Sequence, residues 1–152
     1  MIRDCKMGKN VKIPFPDLVN LYECEIGDNT FIGPFVEIQK GVVIGKRCRI
    51  QSHAFICEGV TIGDDCFIGH GVVFTNDLYP VANDPKWKLE KTKVDNRVSI
   101  GNNATILPVR INEGSLIGAG AVVVKDVQHN AVVVGNPAKK IRTLSGRKKI
   151  KR

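Results

Sequence analysis

An aliphatic side chain recurs at every sixth position over most of this chain, and this repeat constrains the fold more than any other feature. Residues six apart lie on opposite faces of an α-helix, because the helix turns once in about 3.6 residues. The spacing therefore excludes long amphipathic helices for most of the chain. The recurring residues are Ile26, Ile32, Ile38, Ile44, Ile50, Ile56, Ile62, Ile68 and Phe74, then Val94, Ile100 and Ile106, then Ile111, Ile117 and Val123, with Met7 and Ile13 before them.

Each six-residue unit carries two further signals. A small or β-branched residue stands four positions after the aliphatic one, and glycine often follows the aliphatic residue directly, as at Gly27, Gly45 and Gly69. Glycine suits a tight corner because it adopts positive φ without a Cβ clash. Each unit therefore predicts a short strand and a turn, and three units close a triangular coil of about 18 residues. The small-residue positions are Thr30, Val36, Val42, Cys48, Ala54, Val60, Cys66, Val72, Val98, Ala104, Ser115 and Ala121.

The units at 26–31 and 62–67, with their neighbours, resemble the hexapeptide-repeat acyltransferases over residues 7–141. The resemblance implies an all-β fold, a left-handed parallel β-helix, and it implies a homotrimer. The left hand comes from the family, since parallel crossovers are ordinarily right-handed. We predict six coils that begin near residues 7, 26, 44, 62, 94 and 111. We also predict one domain over residues 1–141 and a basic tail over residues 142–152.

Composition indicates a soluble globular protein. Of the 152 residues, 43% are hydrophobic and 25% are charged, and no apolar run approaches the roughly 20 residues that a membrane span needs. The first residues do not resemble a secretory leader. We therefore predict a cytoplasmic protein without membrane insertion.

The net charge of +8 is confined to one end of the chain. Residues 139–152 contain eight Lys or Arg and no acid, so the rest of the chain balances fifteen basic against fifteen acidic residues. A run of this kind is usually a solvated end. We predict no nucleic-acid partner and interpret the tail as a solubilising segment.

The cysteines and histidines do not predict a metal site. Cys24, Cys48 and Cys66 occupy small-residue positions and are expected to pack as buried thiols. Five cysteines without a CxxC pattern support neither a disulfide framework nor a zinc cluster. Carbon dioxide hydration at a three-ligand zinc site remains a remote alternative, since the third histidine, His129, belongs to a distant coil.

The repeat is interrupted once at length, between Phe74 and Val94, where a spacing of twenty replaces the expected six. The inserted loop, residues 75–93, contains the single Trp of the chain. Long aperiodic insertions in compact domains are commonly functional. We expect this loop to project from one corner and to reach toward a neighbouring subunit.

The segment at 69–80, together with residues 19–22 and 51–60, resembles a narrower group. Its members acetylate the amino group of nucleotide-linked deoxyaminosugars for bacterial surface polysaccharides. The resemblance implies that Asn76 lies beside the reacting amine and thioester, and Asp77 is a candidate to hold the ammonium form. The alternative is an Asx turn that begins the loop, with both side chains bonded to nearby backbone.

His53 and His70 are candidates for substrate binding or proton acceptance. Both stand at outward positions of the units that begin at Ile50 and Ile68, which are one coil apart, so we expect them on one face of adjacent coils. Ordinary surface histidines are the alternative interpretation.

The late coils resemble the coenzyme A groove of the family, where small residues admit the pantetheine arm and basic residues meet phosphates. Two positions depart from the family pattern, since Val109 and Asn112 replace glycines. The candidate binding residues are Gly118, Ala119, Gly120, Lys125, Asn136, Pro137, Lys139 and Lys140.

These patterns predict an acetyl-CoA-dependent N-acetyltransferase that acts on a dTDP- or UDP-linked 3- or 4-amino deoxysugar. An amine needs little besides proximity, removal of a proton and a donor for the oxyanion. Transfer to a hydroxyl of serine or a simple sugar is the alternative, and a non-enzymatic β-helix assembly module is a third possibility.

Overall fold

A computed structural model describes residues 1–145 of the chain, which form a three-sided parallel β-helix. We call the sides faces 1, 2 and 3 in the order in which the chain visits them. Successive strands on each face pair in parallel. Within residues 1–145, face 1 consists of Ile2–Arg3, Asn20–Tyr22, Glu37–Ile38, Phe55–Ile56, Val73–Phe74, Thr105–Ile106 and Val122–Val123.

The other two faces are built in the same way. Face 2 consists, in the described chain, of Lys6–Met7, Glu25–Ile26, Val43–Ile44, Val60–Ile62, Thr92–Val94 and Arg110–Ile111. Face 3 consists, over the same part, of Phe31–Ile32, Arg49–Ile50, Phe67–Ile68, Ser99–Ile100, Leu116–Ile117, Ala131–Val134 and Lys139–Thr143. The last of these strands runs antiparallel to its neighbour Ala131–Val134 and ends face 3 as a hairpin.

The pairing register explains the six-residue repeat. On face 2, Ile44 pairs with Ile26 on one side and with Ile62 on the other, so three repeat units separate each pair. The repeated aliphatic side chains consequently stack in columns inside the prism, and Ile32, Ile50 and the others from Ile26 to Val123 are buried. The small-residue positions are buried as well. The left-handed parallel β-helix expected from the sequence is confirmed.

Buried polar side chains in this core bond to the backbone. Thr30 Oγ1 donates to the carbonyl oxygen of Gly45 at 2.9 Å, and Ser115 Oγ donates to that of Asn112 at 2.7 Å. Hydroxyls therefore occupy the small-residue columns without leaving an unsatisfied donor inside the prism.

The number of coils differs slightly from the sequence prediction. The six coil starts counted from the sequence correspond to the strands of face 2, whereas face 1 carries seven strands within the described residues. The difference arises at the ends. Ile2–Arg3 pairs with Leu21 and Tyr22 before the first counted coil, and Ala131–Val134 follows the last one.

The two irregularities of the repeat lie where the sequence put them. Val94 pairs with Ile111, so this coil is one position shorter than the regular ones and accommodates the residue missing after Ile106. Val60 pairs with Thr92, so this coil is much longer than the others and its surplus forms the loop.

Helical structure is limited to one short segment in the part of the chain described, a single 3-10 turn at Pro16–Leu18. None of the helical structure in residues 1–145 is long and apolar enough to span a bilayer. The final strand extends to Thr143, two residues beyond the predicted domain boundary. Residues 146–152, most of the predicted basic tail, lie outside the described residues.

Candidate active site

Asn76 and Asp77 lie at the corner between faces 1 and 2, which we call the loop corner. The chain leaves face 1 after Phe74 and returns to face 2 at Thr92. The stem of the loop is closed by Glu90, whose backbone N–H donates to the Asn76 carbonyl oxygen at 3.1 Å. The Glu90 carboxylate also accepts the backbone N–H of Leu78 at 2.8 Å. The insertion is therefore anchored at its base beside the predicted site residues.

A groove of about 440 Å³ opens between this stem and face 1. Its wall is mainly apolar, with the amides of Gln39 and Asn76 and the carboxylate of Asp77 as the groups suited to a polar ligand. Small-molecule sites commonly combine apolar walls with a few placed polar groups. The groove is lined by Gln39, Phe55, Cys57, Val73, Phe74, Thr75, Asn76, Asp77 and Pro80.

The Asn76 side chain is half-buried and oriented by the coil below it. Its Nδ2 donates to the carbonyl oxygen of Glu58 at 3.2 Å. Because a carbonyl oxygen only accepts, this contact identifies the amide nitrogen and leaves Oδ1 as an acceptor for another group. Asn76 is therefore able to accept a hydrogen bond from an amine in the groove.

Asp77 forms the Asx turn that was the alternative interpretation of this segment. Its Oδ1 accepts the backbone N–H of Tyr79 at 2.8 Å. This bond orients the carboxylate and begins the loop, which agrees with the usual role of Asp at such a position. The turn and a role at the groove are compatible, since Asp77 also lines its wall.

Gln39 and Cys57 are groove residues that the sequence interpretation missed. Gln39 Nε2 donates to Glu37 at 3.0 Å, and its Oε1 accepts the backbone N–H of Glu58 at 3.2 Å. Cys57 is buried, and desolvation raises the pKa of its thiol to about 11, so it is a neutral wall residue at pH 7. The spacing of eighteen from Thr75 back to Cys57 and Gln39 was the available signal.

His53 and His70 lie at a different corner, between faces 3 and 1, which we call the histidine corner. They occupy adjacent coils, but neighbouring rather than equivalent positions. The residue stacked below His70 is Ser52, and its Oγ lies 2.7 Å from His70 Nδ1. Asn102, on the coil above, accepts the His70 backbone N–H through Oδ1 at 3.0 Å. His70 is thus oriented by contacts from both neighbouring coils.

His53 has a different environment. Its φ is +63°, and its ring stacks on that of Phe35 one coil below, with centroids 4.8 Å apart and planes inclined by 23°. Both histidines are exposed. Within one chain, the structure therefore brings Asn76 and Asp77 together but places the two histidines at the opposite edge of face 1.

Part of the predicted coenzyme A segment also lies at the histidine corner. A Cβ on Gly118 would approach Val134 Cγ1 to 2.7 Å, whereas one on Gly120 would meet nothing within 4 Å. The following turn is held to the strand Val122–Val123, because Val122 N–H donates to Gly135 O at 2.9 Å and Ala138 N–H donates to Val122 O at 2.8 Å. These bonds keep the turn that contains Asn136 and Pro137 next to Gly118, Ala119 and Gly120.

The predicted lysines are divided between two places. Lys125 and Lys140 line a second groove of about 280 Å³ at the end of the prism, together with Val123 and Ala138. Lys139 is exposed and pairs with Val134 in the terminal hairpin. The small residues and two of the cations thus form neighbouring parts of one end of the molecule.

No group of three or more His, Cys, Asp and Glu side chains that could hold a metal ion occurs in the part of the chain described. His129 follows face 2, away from His53 and His70. Cys5 and Cys24 stack on adjacent coils with their Sγ atoms 3.5 Å apart, and burial raises the pKa of Cys24 to about 12.

The fold and these corners define a hexapeptide-repeat transferase. A sequence model described as "Bacterial transferase hexapeptide (six repeats)" matches residues 23–58. A second, "Hexapeptide repeat of succinyl-transferase", matches residues 41–76 and 92–125. The chain belongs to this family, as the resemblance predicted.

Curated relatives are much longer than this chain. "Bifunctional protein GlmU" of Thermotoga petrophila is 32% identical over 146 residues, which cover 88% of this chain and 32% of that protein. GlmU of Aquifex aeolicus is 35% identical over 140 residues, covering 91% and 28%. The chain spans about a third of the length of the curated relatives that it matches.

Solved structures resemble it over most of their length. A point mutant of AntD, an N-acyltransferase from Bacillus cereus in complex with dTDP and coenzyme A, superposes with a TM-score of 0.80 at 25% identity, covering 91% of this chain and 83% of that one. The hexapeptide-repeat acetyltransferase VCA0836 from Vibrio cholerae, complexed with acetyl coenzyme A, gives a TM-score of 0.70 at 26% identity, with 86% and 74% covered.

Proposed function

We propose that this protein is an acyl-CoA-dependent N-acyltransferase that moves an acetyl group from acetyl-CoA to the amine of a nucleotide-linked 3- or 4-amino deoxysugar. Similarity to AntD, with its dTDP and coenzyme A, and to VCA0836, with its acetyl coenzyme A, supports both substrate classes. We place the reaction in the cytoplasm, where acetyl-CoA is available, and in polysaccharide biosynthesis.

The observation that carries the proposal is the orientation of Asn76 at the mouth of the 440 Å³ groove. Its Oδ1 accepts a hydrogen bond from the neutral sugar amine and directs the nitrogen lone pair toward the thioester. The Asp77 carboxylate attracts the ammonium form before it loses its proton. The apolar wall at Phe55, Val73 and Pro80 accommodates the deoxygenated carbons of the sugar.

The chemistry requires one new bond and one broken bond. The amine nitrogen attacks the thioester carbon, the C–S bond of the tetrahedral intermediate breaks, and coenzyme A leaves as its thiol. The proton lost by nitrogen goes to a nearby base, and His70 is our candidate because Ser52 and Asn102 hold it in place. Proximity supplies much of the rate.

The co-substrate fits the C-terminal end of the histidine corner. Gly120 leaves open space for the pantetheine arm, and the exposed backbone of Ala119, next to half-buried Gly118, offers hydrogen bonds to its amides. Lys125, Lys139 and Lys140 supply ammonium groups for the nucleotide phosphates, and Asn136 and Pro137 form the adjoining turn.

A complete site on this proposal needs a second copy of the chain. The loop corner and the histidine corner lie at opposite edges of face 1, so one copy does not bring Asn76 near His70. A homotrimer in which the loop corner of each subunit meets the histidine corner of its neighbour would join them. Exposed apolar side chains on the prism sides, Val43, Phe67 and Val73, are consistent with such packing.

The direct test is acetyl transfer by the purified full-length chain to a panel of dTDP- and UDP-linked amino sugars. Product is measured by mass spectrometry, because a thiol reagent for released coenzyme A would also react with an accessible cysteine such as the half-buried Cys5. We expect N-acetylated product from an amino sugar and none from its hydroxyl counterpart. Product from the hydroxyl sugar alone would contradict the proposal and favour O-acetylation.

Asn76→Ala provides the matched test of the site. We expect a loss of about 100-fold in kcat/KM because the amine is no longer positioned, with an unchanged thermal unfolding midpoint. Asn83→Gly, in the same loop at φ +59°, is the control and should retain activity. Equal activity of Asn76→Ala and the unaltered protein would remove Asn76 from the mechanism.

A further inference from the structure

Phe35 occupies a backbone position that does not suit it. Its φ is +60°, and a bulky side chain at positive φ is a conformational outlier. Glycine or a polar residue occupies the other left-handed positions, and asparagine is common among them. In the part of the chain described, the other non-glycine positions of this kind are Asp4, Asn10, Glu23, Asn29, Arg47, His53, Asp65, Asn83, Arg97, Asn103 and Asn130.

Packing does not explain why phenylalanine stands there. The side chain is 53% exposed, so it contributes little to the core of the prism. An exposed aromatic ring on a strained backbone is therefore unfavourable on two separate grounds. Strain of this type persists at sites where the side chain serves a purpose other than folding.

Phe35 and His53 form a stacked pair of aromatic rings at the histidine corner. Both have positive φ, both are exposed, and their rings stack with centroids 4.8 Å apart. The backbone of each residue is bonded to the coil below it. The His53 N–H donates to the Pro34 carbonyl oxygen at 3.2 Å, and the Phe35 N–H donates to the Leu18 carbonyl oxygen at 2.7 Å. The two rings are consequently preordered before any ligand arrives.

We propose that Phe35 and His53 are a stacking platform for the nucleobase of the nucleotide-linked acceptor sugar. Bases stack on aromatic rings with little dependence on their hydrogen-bonding pattern. This inference rests on the proposed function, and it assigns the platform, rather than proton transfer, to His53. It leaves His70 as the histidine closer to the chemistry.

The order of residues along the histidine corner supports this assignment. Phe35, His53, Gly71, Asn103 and Gly120 occupy the same corner position on successive coils, joined by backbone bonds such as Gly71 N–H to Ser52 O. At about 4.8 Å per coil, His53 lies about 5 Å and Phe35 about 10 Å below His70. The segment assigned to coenzyme A lies on the other side of His70, about two coils above it.

This order also selects the acceptor's nucleotide over the adenine of coenzyme A. A thioester that enters from Gly120 and a sugar whose nucleotide lies on Phe35 approach His70 from opposite directions. Their reacting ends then meet between the two nucleotides. The adenine would have to pass the reaction centre to reach Phe35.

The test compares Phe35→Asn, Phe35→Tyr and the unaltered full chain. Asparagine favours positive φ, so Phe35→Asn should be at least as stable as the unaltered protein while lacking the ring. We expect its Kd for dTDP and UDP to rise about tenfold, and that of Phe35→Tyr to stay within about twofold. Binding is measured by calorimetry, together with the Kd for coenzyme A, which should not change.

Arg97→Asn is the matched control. Arg97 is exposed at φ +57° at the corner between faces 2 and 3, which is neither the histidine corner nor the loop corner, so this change relieves the backbone in the same way without removing a ring. We expect an unchanged Kd for both nucleotides. In NMR spectra of unaltered protein with dTDP, nuclear Overhauser contacts should join the thymine methyl group to the Phe35 ring.

Three outcomes would overturn the platform. They are an unchanged nucleotide Kd in Phe35→Asn, a loss of coenzyme A binding equal to the loss of nucleotide binding, and dissociation of an oligomer by the same change in sedimentation. The last would identify Phe35 as a subunit contact. If the unaltered chain acetylates amino sugars and any of these outcomes occurs, the platform alone is refuted. Absence of any acetyl transfer by the unaltered chain would refute the proposed function.

Discussion

The histidine corner and the loop corner are built from the same repeat, yet they differ in what holds them in place. At the histidine corner, the coils from Phe35 to Gly120 repeat one turn with a residue at positive φ, and Ser52, His70 and Asn102 bond from coil to coil. At the loop corner, residues beyond Asn76 are held mainly by bonds within the loop, such as those of Asp77 and Glu90.

The two corners therefore suit different tasks: the histidine corner fixes side chains in place, and the loop corner can vary in sequence and shape. A side chain at a regular corner is held by the coils stacked above and below it, so a substrate-orienting group there needs no additional contacts to fix it. An inserted loop is free of the stack and carries recognition groups that the prism cannot supply. The site on our proposal uses both, with a rigid edge from one corner and a variable wall from the other.

The largest expected effect tests the rigidity of the regular stack. Ile100 is fully buried between coils, and Ile100→Ala should lower the free energy of unfolding by about 2–5 kcal/mol. Leu89, half-buried in the loop beside Gly59, is the comparison, and Leu89→Ala should lower it by no more than about 1 kcal/mol. Urea unfolding followed by circular dichroism measures both. Equal losses would show that the loop is as integral to the fold as the core.

The next effect separates the loop from the fold by removing it. The Asn76 carbonyl accepts the Glu90 N–H at 3.1 Å. In a four-residue β-turn, the carbonyl of the first residue accepts the N–H of the fourth in the same way. Replacing residues 77–89 with Gly-Gly should therefore leave the coil closed and the unfolding midpoint within a few degrees. We expect acetyl transfer to fall by about 100-fold or more.

Coenzyme A binding is the internal control for this deletion, since Gly118 and Gly120 lie at the other corner. A deletion variant that binds coenzyme A but transfers no acetyl group would support the division between the corners. Full activity in the deletion variant would contradict it.

The regular part of the molecule was predicted from the sequence better than the inserted loop was. The buried columns, the small-residue positions and the place of the insertion follow from a spacing of eighteen, which the pairing of Ile26, Ile44 and Ile62 reproduces. The spacing also put His53 and His70 on adjacent coils. His53 stands three positions after the aliphatic residue of its repeat unit and His70 stands two, so a spacing of eighteen aligns Ser52, not His53, with His70, and this contact was missed.

The groove was less accessible to prediction because its wall comes from both regular and inserted residues. Cys57 and Gln39 are aligned with Thr75 by the repeat, but their role depends on the path of the loop above them. Nothing periodic determines that path. The number of coils was undercounted at the ends of the prism for a related reason. Ile2–Arg3 pairs with the next coil, but no six-residue repeat precedes it in the sequence.

The smallest expected effect concerns a charged contact of the regular stack, at the corner between faces 2 and 3. Arg47 donates two hydrogen bonds to Asp65 one coil away, at 2.7 and 2.8 Å, and this contact lowers the pKa of the Asp65 carboxyl. A carboxyl with a lowered folded-state pKa stabilises the protein above its unfolded value near 4 and loses that contribution as the pH falls through the folded value. Both side chains are largely exposed, so the contribution is below about 1 kcal/mol.

Asp65→Asn should therefore lower stability slightly at pH 7, and the difference from the unaltered protein should shrink as the pH falls below 4. Asp84→Asn in the loop is the comparison, because within residues 1–145 Asp84 forms no ion pair and its bond to the Lys86 N–H is one that asparagine also makes. Urea unfolding at pH 7 and pH 3 measures both variants. A pH-dependent loss in Asp84→Asn equal to that in Asp65→Asn would mean that overall charge, rather than contact between coils, governs the acid response.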